Sequence, residues 1–135
     1  MKAAIRKVAR CAAIAGILAT ASTVGMSGIA NAASDSYTAD HVELILDNNS
    51  STRMADICNY QSSTNDFYFR VVDNKWGATV RLYNDWTGLN YYGGLLTLAA
   101  GTCDSFIIDA PNDALVSEFS PNGTTWYGTN PVGYN

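Results

Sequence analysis

The chain has a single histidine, His41, and only three cysteines among its 135 residues. Hydrolases of the Ser-His-Asp and Cys-His kinds need a histidine beside the nucleophile. His41 follows Asp40 at the start of the first predicted strand, where we expect a surface residue. A zinc site lacks its preferred ligands. A glycosidase can work with two carboxylates, but a domain of this size rarely forms both the cleft and its sugar subsites. We therefore predict that the protein is not an enzyme.

Long hydrophobic runs are also missing, apart from one short run near the N-terminus. Four basic residues in the first ten positions precede an apolar stretch over residues 11–21, which is too short for a stable membrane span. Ala30-Asn31-Ala32 then places small residues where a signal peptidase cleaves. The pattern predicts a signal peptide over residues 1–32, and hence a secreted, extracellular protein without membrane insertion.

Positive charge is scarce in the remaining chain. Residues 33–135 contain four basic residues against twelve acidic ones, a net charge of −8. Such a domain will not bind nucleic acid or an anionic membrane surface by electrostatic attraction. The expected partner is an extracellular protein or polysaccharide, although acidity by itself also serves solubility.

Two cysteines remain after the signal peptide, because Cys11 lies within it. In an exported chain Cys58 and Cys103 can form one pair, so we predict a single Cys58–Cys103 disulfide. The alternative, a metal or nucleophilic pair, lacks companion ligands nearby. Closing a loop of this length stabilises a domain by about 4 kcal/mol in the chain-entropy model.

Apolar residues alternate with polar ones along most of residues 33–135, and β-branched and aromatic residues are frequent. Turn-forming clusters separate these segments, including Asn122-Gly123 before Trp126. Short strands at this spacing predict an all-β sandwich or small barrel of antiparallel strands. Residues 33–40 are predicted to be a flexible N-terminal arm, and residues 41–135 a single domain. The predicted strands cover residues 42–47, 55–60, 67–72, 78–83, 91–98, 103–109, 114–119 and 124–127.

The fifteen aromatic residues all follow position 32. Trp76 and Trp86 fall in turn-like segments, and Tyr91 and Tyr92 begin a predicted strand. An exposed aromatic ring can stack on a sugar or anchor a protein interface, whereas a buried one fills the core of a small β domain. Both readings stay open, and we select Trp76, Trp86, Tyr91 and Tyr92 as candidate binding residues.

Three segments resemble a known motif. They are Val-Arg-Leu-Tyr-Asn-Asp at 80–85, Tyr-Tyr-Gly-Gly-Leu-Leu-Thr-Leu at 91–98, and Asn-Asp-Ala-Leu-Val-Ser at 112–117. Together they resemble the Greek-key motif of the βγ-crystallin family. That family includes secreted actinobacterial single domains of the proteinase-inhibitor type. The resemblance implies a Greek-key fold and calcium bound through Asn112, Asp113 and Ser117. Val116 stands where the family has a hydroxyl residue. An immunoglobulin-like or amylase-inhibitor-like sandwich explains the same strand pattern, and an Asn-Asp pair is also a common turn.

These features predict a secreted, non-enzymatic binding module. Its most concrete form is an inhibitor of an extracellular hydrolase that acts through the tryptophan-bearing loops 73–77 and 85–90. Pre-organised loops on a disulfide-linked scaffold lose little entropy on binding. The alternatives are a structural or envelope-associated surface protein, stabilised by calcium, and a carbohydrate-binding module.

Overall fold

The described residues, 33–84 and 86–135 of a computed structural model, form ten β-strands. The predicted signal peptide and Asp85 lie outside the described residues. Within the described part, no helix has the length and hydrophobicity of a membrane span. The strands are β1 (Ser34–Ala39), β2 (Val42–Asn49), β3 (Thr52–Asn59), β4 (Asn65–Asp73), β5 (Arg81–Asn84), β6 (Asn90–Tyr91), β7 (Gly94–Leu98), β8 (Thr102–Asp109), β9 (Leu115–Ser120) and β10 (Tyr127–Gly128).

The strands form two antiparallel sheets that pack face to face. One has six strands in the order β1-β2-β3-β8-β5-β6, and the other has four in the order β10-β9-β4-β7. This arrangement confirms the prediction of an all-β, antiparallel sandwich. Cys58 of β3 and Cys103 of β8 lie directly opposite each other and form the predicted disulfide.

The core forms because apolar residues on alternate positions of both sheets point inward. Phe67, Phe69 and Val71 of β4 are all buried, whereas Tyr68 between them is exposed. Phe69 meets Phe106 of the other sheet with their ring centroids 5.6 Å apart. Because these three residues of β4 point inward, the residues that alternate with them face the outside of the four-stranded sheet.

Residues 34–39 are not a flexible arm, which corrects the prediction. They form β1, which pairs with β2 along its whole length. Tyr37 packs against the core, with its ring centroid 6.4 Å from that of Phe119. The hairpin turn uses Asp40 and His41, both at positive φ (50° and 60°), the conformation that matches the twist of paired strands. His41 is exposed at this turn.

The predicted strand 91–98 is two strands that belong to different sheets. β6 pairs with β5 in the six-stranded sheet, and β7 pairs with β4 in the four-stranded sheet. Gly93 and Gly94 adopt φ values of 89° and 141°, which residues with a side chain rarely tolerate, so the chain can cross between the sheets here.

Candidate functional site

The outer face of the four-stranded sheet carries a group of exposed and half-buried aromatic and polar side chains. We call it the β4 face, because β4 runs along its middle. Its strands are paired β4 with β7 and β4 with β9, so side chains from three strands stand side by side. The face consists of Asp66, Tyr68 and Arg70 of β4, Leu95 and Thr97 of β7, Glu118 of β9, and Trp126.

Tyr68 lies at the centre of the β4 face, directly opposite Leu95. These two side chains are 37% and 53% exposed, although both are large and hydrophobic. The backbone of Gly123 supports the Tyr68 ring, because a Cβ at that position would lie 3.3 Å from Cε2 and 3.4 Å from Cζ. The ring is thus a partly exposed aromatic surface with Gly123 packed against it.

Replacement of Gly123 by alanine tests this support. Gly123 has a φ of 81°, so alanine there is strained and its methyl group pushes on the Tyr68 ring. We expect the free energy of unfolding to fall by about 1–2 kcal/mol in urea denaturation. Gly101→Ala is the matched control, since Gly101 has a similar φ of 72° and a Cβ there meets nothing within 4 Å. Equal losses in the two variants would show that Gly123 does not support the ring.

Arg70 and Trp126 form one end of the face. The guanidinium carbon of Arg70 lies 3.6 Å from the centroid of the Trp126 ring, and its Nε donates to Oε1 of Glu118 at 2.9 Å. Stacking and a partly exposed ion pair each contribute about 0.5–1 kcal/mol. Both contacts hold the guanidinium against the Trp126 ring, and its charge is balanced by Glu118.

Asp66 and Thr97 form the other end of the face. The Thr97 hydroxyl donates to Oδ1 of Asp66 at 2.6 Å, across the β4–β7 pair. Asp66 and Arg70 are four positions apart along β4, which corresponds to about 13 Å. The face is therefore a narrow strip with polar groups at both ends and Tyr68 with Leu95 between them.

The predicted binding residue Trp76 lies on an ordered turn after β4. It is 70% exposed, the largest value among the exposed large hydrophobic side chains. Oδ1 of Asp73 accepts from the backbone N–H groups of Lys75 and Trp76, at 2.8 and 3.3 Å. The backbone N–H of Gly77 donates to the carbonyl of Asp73 at 2.7 Å. These bonds fix the loop that presents Trp76.

Trp86 lies on a turn of the same construction. Oδ1 of Asn84 accepts from the N–H groups of Trp86 and Thr87, each at 3.0 Å, and the N–H of Gly88 donates to the Asn84 carbonyl at 2.9 Å. Trp86 itself is half-buried. The two tryptophan turns lie at opposite ends of β5, so the structure does not bring Trp76 and Trp86 together.

Adjacent Tyr91 and Tyr92 have different environments. The Tyr91 hydroxyl donates to the carbonyls of Phe69 and Gly94, at 2.8 and 2.5 Å, and its ring stacks 5.1 Å from that of Phe106. Burial raises the pKa of the Tyr91 phenol, because the phenolate would lose its hydration. Tyr92 is 61% exposed. Tyr91 is therefore a packing residue, and Tyr92 is a surface residue.

The predicted calcium ligands Asn112, Asp113 and Ser117 differ in their exposure to solvent. Ser117 is fully buried in β9, whereas Asn112 lies on an exposed loop. The guanidinium of Arg53 occupies this loop and donates to the carbonyls of Ala110 and Pro111, at 2.6 and 2.9 Å. A cation already uses oxygens of the kind that calcium would need. Within the described residues, no group of three or more His, Cys, Asp or Glu side chains could hold a metal ion.

Sequence reasoning did not select Tyr68, Arg70 or Trp126. A usable signal was present, since alternation with buried Phe67 and Phe69 places Tyr68 and Arg70 on one face. No local sequence pattern predicts that Trp126 belongs to this face, because only the pairing of the strands brings it next to Arg70.

The chain matches no protein-family model, and no curated protein and no solved structure is significantly similar to it. The resemblance to the βγ-crystallins therefore stays a prediction.

Proposed function

We propose that this protein is an exported, non-enzymatic binding module that contacts another extracellular macromolecule through the β4 face. The observation that carries the proposal is the exposure of Tyr68 and Leu95 side by side on paired strands, with Gly123 packed against the Tyr68 ring. Exposed apolar groups on a fixed backbone favour binding because little conformational entropy is lost.

A second candidate is inhibition of an extracellular hydrolase through the Trp76 turn. It is favoured by the 70% exposure of Trp76 on a loop that Asp73 already orders. Inhibitors commonly present such a side chain on a pre-organised loop, since the loop then loses little conformational entropy when it enters a cleft. This candidate needs no contribution from Tyr68, so the two candidates can be separated by mutation.

Paired variants of the oxidised protein test both candidates. The protein is measured for retention on insoluble polysaccharides and for its effect on the activity of a panel of secreted proteases and glycosidases. We expect Tyr68→Ala to weaken the interaction by about tenfold or more, because it removes the central exposed ring. Trp76→Ala is the matched control, an exposed aromatic residue outside the β4 face, and should change affinity by less than about twofold.

The outcomes are distinct. An interaction that is lost in Trp76→Ala and retained in Tyr68→Ala would select the inhibitor candidate. Full interaction in both variants would exclude both the β4 face and the Trp76 turn as the binding site. Thermal denaturation of each variant ensures that a loss of binding is not a loss of folding. The 70% exposure of Trp76 predicts a small change in melting temperature for Trp76→Ala, whereas Tyr68→Ala removes a ring packed against Gly123 and should lower the melting temperature more.

A further inference from the structure

The charge and shape of the β4 face restrict its partner, given the proposed function on which this step rests. We infer that the face binds an uncharged polysaccharide, with the sugar chain lying along β4. The inference depends on three properties of the face: its balanced charges, its narrow apolar centre, and the hydrogen-bonding groups at each end.

The charged groups of the face are already engaged. Arg70 donates to Glu118 and stacks on Trp126, so its positive charge is balanced and one side of its guanidinium plane is covered. An anionic polymer would gain little from this cation and would be repelled by the net charge of −8 on residues 33–135. A basic partner would find Glu118 paired and Asp66 as the remaining carboxylate of the face. The net charge of −8 would attract a basic partner over long distances, but within the face only the Asp66 carboxylate is left to contact it, so the local charges of the face favour neither sign.

The shape of the apolar centre favours a single polysaccharide chain over a broad protein surface as the partner. Tyr68 and Leu95 form a hydrophobic area two side chains wide. A stable protein–protein interface buries about 800 Å² on each partner around a cluster of apolar anchors. A single polysaccharide chain needs only a narrow strip, because each sugar ring can place its C–H face on one aromatic ring.

The ends of the strip supply groups that match sugar hydroxyls. Asp66 offers carboxylate oxygens as acceptors, and its Oδ1 is already oriented by Thr97 at 2.6 Å. At the other end, the guanidinium of Arg70 has five N–H donors, of which the one on Nε serves Glu118. Sugar hydroxyls both donate and accept, so they can bond to groups of both kinds. About 13 Å of strand separates the two ends, with the aromatic ring between them.

Affinity electrophoresis of the oxidised protein in native gels tests the inference. The gels contain soluble uncharged polysaccharides (β-glucan, α-glucan, mannan, galactan, xylan and glycol chitin after N-acetylation) or the anionic polymers alginate and polygalacturonate. We expect retardation by at least one uncharged polymer and by neither anionic one. Raising the salt from about 50 to about 500 mM should change the affinity by less than about twofold, because no counterions are released.

Three variants sharpen the result. Tyr68→Ala should lower the affinity by about tenfold or more, whereas Tyr83→Ala, at a tyrosine of matched exposure (36%) on β5 of the other sheet, should leave it within about twofold. Asp66→Asn keeps the shape and an acceptor oxygen but removes the charge, so it should cost less than about fivefold for an uncharged sugar. A cationic ligand would instead lose most of its binding in Asp66→Asn.

Salt-sensitive binding to an anionic polymer, or uncharged-polymer binding that Tyr68→Ala leaves intact, would overturn the inference. Failure to bind any uncharged polymer, together with hydrolase inhibition that depends on Tyr68, would overturn the polysaccharide assignment and leave the β4 face as the site. The absence of any Tyr68-dependent interaction from a folded protein would overturn both proposals.

Discussion

We expect the double replacement of Cys58 and Cys103 by alanine to lower the free energy of unfolding by about 4 kcal/mol. The disulfide joins residues 45 positions apart, and the loop that it closes restricts the unfolded chain. Domains of this size have a total stability of about 5–15 kcal/mol. The replacement therefore removes a large part of the margin, although both cysteines lie on strands that also pair by backbone hydrogen bonds.

Urea denaturation of the oxidised protein, the reduced protein and the double variant measures this effect. The reduced protein should match the double variant to within about 1 kcal/mol, and reductant should not alter the variant. If the double variant lost less than about 1 kcal/mol, the pairing of β3 with β8 would be fixed by packing without the disulfide. Tyr68-dependent binding should persist wherever the variant remains folded, because the β4 face belongs to the other sheet.

The second large effect is expected for Asn48→Ala, at about 3 kcal/mol. Asn48 is completely buried at the end of β2. Its Nδ2 donates to the carbonyls of Val132 and Asp113, at 2.8 and 3.0 Å, and its Oδ1 accepts from Nε of Arg53 at 3.0 Å. Alanine leaves two carbonyls and a guanidinium N–H without these partners in a part of the molecule that excludes water.

This loss should be largest near the C-terminal segment that Asn48 holds. The carbonyl of Asn48 accepts from the N–H of Asn135 at 3.1 Å, and Val132 pairs with Leu115 of β9. Hydrogen exchange at the amides of Val132 and Leu115 should therefore accelerate in Asn48→Ala. Asn74→Ala, at an exposed turn position, is the matched control, with an expected change below about 0.5 kcal/mol. A loss as small as that of the control would show that the buried amide is replaceable by water.

The contrast between these two predictions shows which features can be inferred from a sequence. Cys58 and Cys103 were paired by counting, since they are the two cysteines that follow the predicted signal peptide and two cysteines allow one disulfide. The network of Asn48 was not predictable in this way, because Asn48 lies among turn-forming residues and resembles one of them. Its partners Asp113 and Val132 are 65 and 84 residues away.

The candidate site shows the same division. Alternation along β4 was sufficient to predict that Phe67 and Phe69 are buried and that Tyr68 is not. Which aromatic residues are accessible was predicted less well. Tyr91 and Tyr92 are neighbours in the sequence, yet one packs on Phe106 and the other is 61% exposed, because the chain crosses between the sheets just after them.

The sequence by itself determined the all-β class, most of the strands and the disulfide, because each depends on local alternation or on the number of cysteines. The tertiary structure alone decided that residues 34–39 form an edge strand, that Arg53 donates to the loop proposed for calcium, and that Arg70 lies on Trp126. The physical reason is that the partners of these side chains depend on strand order and register. A pattern of period two specifies which face a residue occupies, but not which distant residue lies beside it.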